Sequence, residues 1–390
     1  MKKALLVVLI ALLVVCCLPT ATFATQITSP QTEYLTSDTY LMLQEFVTAC
    51  PDRSNTAKER STANYLLDKF ANIGLETQLQ TVPYDEYGYE TFNAIGILRG
   101  QDSSQSIVIG AHYDAVGEGA NDNASGIVAL LQIAQKLQSK RLPFDVYFVA
   151  FGGEEQGLLG SDYFVKHFSQ NYKLALSTIR VMFNMDSIAN GDNLYLHCEN
   201  KSTNLANFIL QNQSGVATLQ EKPYAVGTFN ADMWGYGYYE MVQGSDHTPF
   251  RVSGIPVANF FSGNFKDWTY VESTNTQNST LNTALDKLDN CTQSWIDKID
   301  TVVATVVATV TSVDFDTVSA NARQDLLDLD FWYNRLWPKI VAGVIVAILA
   351  VLAILHHRKL QKQALMGTAE AKTTRIFETP SADDIFTFKD

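Results

Sequence analysis

Four short stretches of the chain carry side chains able to bind a metal ion or move a proton. In Gly110-Ala111-His112-Tyr113-Asp114, an imidazole can ligate zinc while a carboxylate two residues on holds the ring in one tautomer. Gly119-Ala120-Asn121-Asp122-Asn123-Ala124-Ser125-Gly126 is a glycine-bounded turn that presents Asp122. Gly152-Gly153-Glu154-Glu155-Gln156-Gly157 sets two adjacent carboxylates after an apolar run, and Asn184-Met185-Asp186 ends another such run in a carboxylate. Singly, a His-X-Asp pair is usually hydrogen-bonded structure and paired glutamates usually a solvated face. Together, one imidazole and several carboxylates make a hard-ligand cage suited to zinc.

Such a cage needs elements that bring distant segments to one place. Residues up to about Gly74 read as helical, with Tyr65, Leu66, Phe70 and Ile73 spaced for one buried face. Strands are expected over 93–99, 106–111, 144–151, 179–183 and 255–261, the third a near-continuous apolar run typical of a central strand. Helices are expected over 126–137, 158–168 and 282–311, the last with Leu285, Leu288, Trp295, Ile299, Val302, Val303 and Val306 at helical spacing. Strands alternating with helices predict an α/β three-layer sandwich with a central mixed, largely parallel sheet. Sites in such sheets gather at the carboxyl ends of strands, where the polar stretches fall.

The chain has 390 residues, 46% of them hydrophobic and 18% charged, enough to bury a large core. Its net charge of -13 argues against nucleic acid as a partner. Met1-Lys2-Lys3, an apolar run from Ala4 to Leu18 and small residues ending at Ala24 have the layout of a secretory signal peptide, 1–24. Ile340 to Leu355 carries no charged residue and is followed by His356, His357, Arg358, Lys359 and Lys362. That pattern predicts a single membrane-spanning helix over 339–356, with the lipid bilayer as a partner and the basic flank cytoplasmic. The expected organisation is therefore an extracellular catalytic domain at 25–313, a juxtamembrane stalk at 314–338 and a cytoplasmic tail at 357–390. Cys50, Cys198 and Cys291 remain in the mature chain, so at most one disulfide can form within it.

The order His-X-Asp, Asn-Asp-Asn-Ala-Ser-Gly, Gly-Gly-Glu-Glu-Gln-Gly-Leu-Leu-Gly-Ser and Asn-Met-Asp resembles the co-catalytic zinc aminopeptidases, the bacterial leucine aminopeptidase-like zinc exopeptidases. Glutamate carboxypeptidases and glutaminyl cyclases are more distant relatives. The likeness runs from about Thr36 to Val310. It implies zinc as cofactor and a peptide as substrate, cleaved at its N-terminal residue. It also implies His112 and Asp186 on a first zinc, Asp122 bridging two, Glu155 on the second, Glu154 as general base and Asp114 behind His112.

One position departs from the family. Relatives place a last histidine ligand just before a segment matching Leu285 to Asp289, and here Ser279 stands in its place, or Asn275 in a looser alignment. Neither is a usual zinc ligand. His247, in Gly244-Ser245-Asp246-His247-Thr248-Pro249-Phe250, either is recruited to the second zinc or is a structural cleft histidine. One zinc is therefore expected to be firmly held and a second weakly. Two other readings stay open: a catalytically impaired peptidase fold serving as a surface binding protein, and a single-zinc glutaminyl cyclase-like acyltransferase.

Overall fold

The computed structural model describes residues 33–54, 56–84, 89–198, 204–221, 244–263, 265–266, 269–270, 283–312 and 337–376. The expected signal peptide, Asn275, Ser279 and nearly all of the expected stalk lie outside the described residues. The chain divides into two units, Met1–Ala322 and Arg323–Asp390.

In the first unit, α1 (Asp38–Ala49) starts at Ser37, whose side chain accepts the Tyr40 N–H at 3.1 Å. It stops just ahead of Pro51, which disfavours helix at the residue before it. A second helix, α2 (Thr56–Ile73), then buries Ala63, Leu66 and Phe70. The stretch read as helical to Gly74 is thus two helices. A hairpin follows, β1 (Glu76–Pro83) antiparallel to β2 (Glu90–Leu98), then β3 (Asp102–His112), α3 (Gly126–Leu137), β4 (Phe144–Phe151), α4 (Leu159–Tyr172) and β5 (Ile179–Met185). After these come β6 (Asn193–Cys198), α5 (Asn204–Gln211), β7 (Leu219–Glu221), α6 (His247–Val252), β8 (Val257–Gly263), two-residue strands β9 (Phe265–Lys266) and β10 (Thr269–Tyr270), and α7 (Gln293–Ser312).

Eight strands form one mixed sheet in the order β1-β2-β4-β3-β5-β8-β6-β7. Its centre, β4-β3-β5-β8, is parallel, and antiparallel pairs flank it. Strand alternation divides the apolar side chains between two faces. Ile107, Ile109, Val146, Phe148 and Ala150 join a core closed by α1, α2, α3, α5 and α7. Val108, Tyr147, Val149 and Phe151 join a second core closed by Phe164 and Phe168 of α4 and Phe250 of α6. Each such valine, isoleucine or phenylalanine, fully buried, stabilises the fold by about 1.5–3 kcal/mol. With helices on both faces, the only open places for polar groups are the strand ends.

The structure adds β1, β6, β7 and the two-residue β9 and β10 to the strands expected from sequence. β1 is an edge strand carrying Gln78, Gln80 and Thr81, so its apolar pattern is thin. It also moves the start of the last helix from Asn282 to Gln293. Leu285 is 60% exposed and Leu288 lies in a single helical turn, because Asp286 between them is turned inward to bind backbone amides. Cys50, Cys198 and Cys291 are buried free thiols.

In the second unit, α8 (Trp337–Ile376) contains the stretch Lys339–Gln361, with mean hydropathy 2.6. It is long and apolar enough to cross a membrane.

Candidate metal centre

His112 is the last residue of β3, Asp186 the first after β5, and Glu154 and Glu155 follow β4 by three and four positions. Three adjacent parallel strands therefore deliver side chains to one edge of the sheet. The donor atoms of His112, Glu154 and Asp186 all lie within 4.8 Å of one another. His112 Nε2 is 3.2 Å from Asp122 Oδ1 and 3.3 Å from Asp186 Oδ1. Its Nδ1 lies 3.1 Å from the Asp114 carbonyl oxygen. A carbonyl can only accept, so Nδ1 carries a proton and Nε2 is the atom left for a metal.

The Asp114 carboxylate lies 3.7 Å from the same ring nitrogen and also accepts the N–H groups of Glu154 at 3.1 Å and Glu155 at 3.0 Å. One buried side chain thus fixes the turn that carries both glutamates relative to the histidine. Gly152, at the root of that turn, has no room for a Cβ: Thr91, the Phe92 carbonyl and the Tyr113 hydroxyl already fill the space.

Asp122 is delivered by the irregular turn Ala120–Ser125 ahead of α3. Asp286 accepts the N–H groups of Asn121 at 2.9 Å and of Asp122 at 2.8 Å. Asn121 Oδ1 accepts from Ala189 and Asn190, while Asn123 Nδ2 donates to the Met185 carbonyl at 2.9 Å. The Asp122 turn and the loop after Asp186 are therefore laced together. Arg53, fully buried, donates to the carbonyls of Tyr113, Gly119 and Cys50 at 2.5–3.0 Å, tying the loop between α1 and α2 to both sides. Gly119 has φ 55° and meets Arg53 and the Asp122 carbonyl where a Cβ would sit, so glycine is required there.

The electrostatics match a divalent cation. Burial opposes charge on His112, yet Glu154, Asp186, Asp114 and Asp122 outweigh it and hold the imidazole well above its ordinary range. Burial pushes Glu154 well up, His112 pulling against Asp186, Asp246 and Asp114. Burial and then Asp122 push Glu155 up to about 9, and burial raises Asp122 as well. Asp186 alone goes down: burial resists, but His112 and hydrogen bonds from Ser245 and Ser187 prevail. So many carboxylates around one imidazole, with a free Nε2 lone pair once the ring is neutral, is a donor set that suits zinc.

The structure thus brings together His112, Asp114, Asp122, Glu154 and Asp186, with Glu155 on the same pinned turn. His247 is fully buried at the start of α6 with its ring centroid 6.1 Å from that of His197. Its neighbour Asp246, pushed up to about 7 by burial, is the member of that segment whose charge bears on His112 and Glu154. Sequence reasoning passed over Asp246, Asp286 and Arg53. The first two stand in stretches already singled out, whereas nothing local marks Arg53.

A model of "Peptidase family M28" matches residues 93–307. Aminopeptidase YwaD of Bacillus subtilis is 33% identical over 177 residues, covering 44% of this chain and 35% of its own length. Leupeptin-inactivating enzyme 1 of Streptomyces exfoliatus is 28% identical over 213 residues, covering 52% of this chain and 43% of its own. The chain thus spans well under half the length of these curated relatives. Among solved structures, the fold is similar to the LapA aminopeptidase of Legionella pneumophila, with a TM-score of 0.55 and 20% identity over 72% of this chain and 71% of that one.

Proposed function

The chain belongs to peptidase family M28, and on that premise we propose that it is a zinc-dependent aminopeptidase, tethered to the membrane and releasing N-terminal residues from peptides outside the cell. The observation that carries this reading is the convergence of His112, Asp122, Asp186 and Glu154 on one strand edge, with Asp114 fixing both the imidazole and the Glu154 turn. His112, Asp122 and Asp186 would hold a zinc, three protein ligands being the usual number in a catalytic site. Zinc, when bound there, supplies Lewis acidity toward the scissile carbonyl. Glu154 takes a proton from the attacking water and returns it to the leaving amine. The surrounding carboxylates attract the substrate's terminal ammonium, which sets exopeptidase rather than internal cleavage.

The tether is the apolar stretch Lys339–Gln361, with His356, His357, Arg358 and Lys359 at its far end favouring a cytoplasmic C-terminus. The test uses the full chain in mild detergent, with zinc measured by mass spectrometry and activity on a panel of aminoacyl substrates. We expect about one firmly held zinc per chain and release of N-terminal residues that N-acetylation of the substrate abolishes. Protein that takes up no zinc on reconstitution and releases nothing overturns the enzymatic reading. Protease added to intact cells should remove the catalytic unit and spare an epitope after Asp390; a protected catalytic unit overturns the topology.

A further inference from the structure

A cavity of about 360 Å³ is lined in part by Gln156, two positions beyond Glu154. Gln156 and Leu159 form one wall, so the cavity begins one residue beyond Glu155. It is also lined by the start of α2, with Glu59, and by Tyr84, Tyr89 and Glu90 at the ends of β1 and β2, where the two tyrosines are exposed. Thr91 joins Glu59 to the Glu154 turn, donating its hydroxyl to Glu59 Oε2 and packing against Gly152 and Gly153. The size is that of a pocket for a small ligand or a single side chain.

The lining has a definite chemical preference. Two carboxylates and two phenol rings face a shared space, and among the described lining residues there is no lysine or arginine. Aromatic faces attract cations and pack against aliphatic stems, and carboxylates complete the charge. Glu59 is 3% exposed, and burial pushes its carboxyl up to about 7. A cation beside it would favour the ionised form. Glu154 and Gln156 share one turn, and in the proposed reaction Glu154 hands its proton to the leaving amine. The nearness in sequence of Gln156 to Glu154 is the ground for assigning the cavity to the part of the substrate that continues from that amine.

We propose that this cavity is a subsite for a basic side chain, lysine or arginine, on the leaving side of the scissile bond. The assignment to the leaving side rests on the aminopeptidase reading above; the preference for a cation rests on the cavity.

Two measurements on the full chain separate these. Calorimetric titration with N-acetyl-lysine amide and N-acetyl-norleucine amide, neither bearing a free α-amine, reads the cavity without turnover. Lysine should bind about tenfold more tightly than norleucine, and Glu59→Gln or Glu90→Gln should bring the two together. For leucyl-lysine against leucyl-norleucine, kcat/KM should differ by about tenfold, mainly through KM, and the ratio should fall toward one in the same variants. Equal binding of the two probes, or a lysine preference that survives both substitutions, overturns the proposal. If neither dipeptide is cleaved while the lysine probe binds in a Glu59-dependent way, the cation pocket stands and the aminopeptidase reading falls. Glu90→Gln, at the rim, keeps the test decisive should Glu59→Gln fail to fold.

Discussion

At one end of the metal centre, His112, Glu154 and Asp186 bring three donors within 4.8 Å. At the other stand Asp122 and Glu155, and we propose that the histidine the family resemblance implies for a second zinc is replaced there by Ser279, or by Asn275, both outside the described residues. Backbone support is not what separates the two ends. Glu155 is fixed through its N–H by Asp114, and Asp122 through its N–H by Asp286, just as His112 is fixed by the Asp114 carbonyl. Among the described residues, no second group of three metal-type donors closes over a comparable span. On this proposal the scaffold of a two-metal site persists while one half has lost a ligand. Affinity follows ligand number, so the two ends should differ in how tightly they hold zinc rather than in how well they are built.

The largest effects belong to the His112 end. Removing His112 by His112→Ala should empty the first site and reduce peptide release to background. Glu154→Gln should keep the metal and the fold but lose about two to four orders of magnitude in turnover, the range general acid–base groups contribute. Zinc content and kcat, measured together, distinguish the roles. A Glu154→Gln protein that loses its zinc makes Glu154 a ligand, and one with wild-type turnover removes it from catalysis.

Effects at the other end should be smaller and of opposite sign. On the proposal that Ser279 stands where the last ligand belongs, Ser279→His should raise zinc from about one to two per chain and increase aminopeptidase activity. His247 is buried against His197, and His247→Ala should therefore leave zinc content unchanged. Loss of a zinc in that variant would show that His247 has been recruited to the second site. Two firmly held zinc ions in the wild-type protein, with His247→Ala indifferent, would place the last ligand elsewhere and erase the contrast between the ends.

Much of this architecture could be read before any coordinates, for a physical reason. Phe144–Phe151 and Ile179–Met185 are nearly unbroken apolar runs because both faces of a central parallel strand are covered. Strands of that kind end where the apolar run ends: His112 closes β3, Asp186 follows β5 directly and Glu154 comes three positions after β4. What escaped notice depends on contacts far apart in sequence. Asp286 binds the amides of Asn121 and Asp122 across 164–165 positions, and that use of its side chain holds the segment before Gln293 out of the helix its apolar spacing suggested. Arg53 acts through three carbonyls, groups every residue has, so no motif could reveal it. β1 was missed because an edge strand with polar residues lacks the alternation by which half-buried strands are found.

The smallest predicted effect tests how dry the surroundings of Glu59 are. Glu59 is buried there, hydrogen-bonded by Thr91, and burial raises its carboxyl from 4.5 to about 7, with Asp114 adding to the shift. Below pH 4.5 the folded and unfolded chains both carry the proton, so Glu59 leaves stability unchanged. Between 4.5 and 7 the folded chain binds the proton more tightly, so stability falls as pH rises, and the full penalty stands above 7. Glu59→Gln removes the titration while keeping an acceptor for Thr91. Its melting temperature should nearly match wild type at pH 4.5 and exceed it at pH 8 by several degrees, since forcing a carboxyl moved from 4.5 to about 7 to ionise costs on the order of 3 kcal/mol. The measurement is a pair of thermal scans across that range on ligand-free protein, since a bound cation would itself favour ionised Glu59. A difference that stays flat from pH 5 to pH 8 would mean that Glu59 ionises as easily in the fold as in the open chain. Water would then reach Glu59 as freely as it reaches the surface, although the residue is 3% exposed.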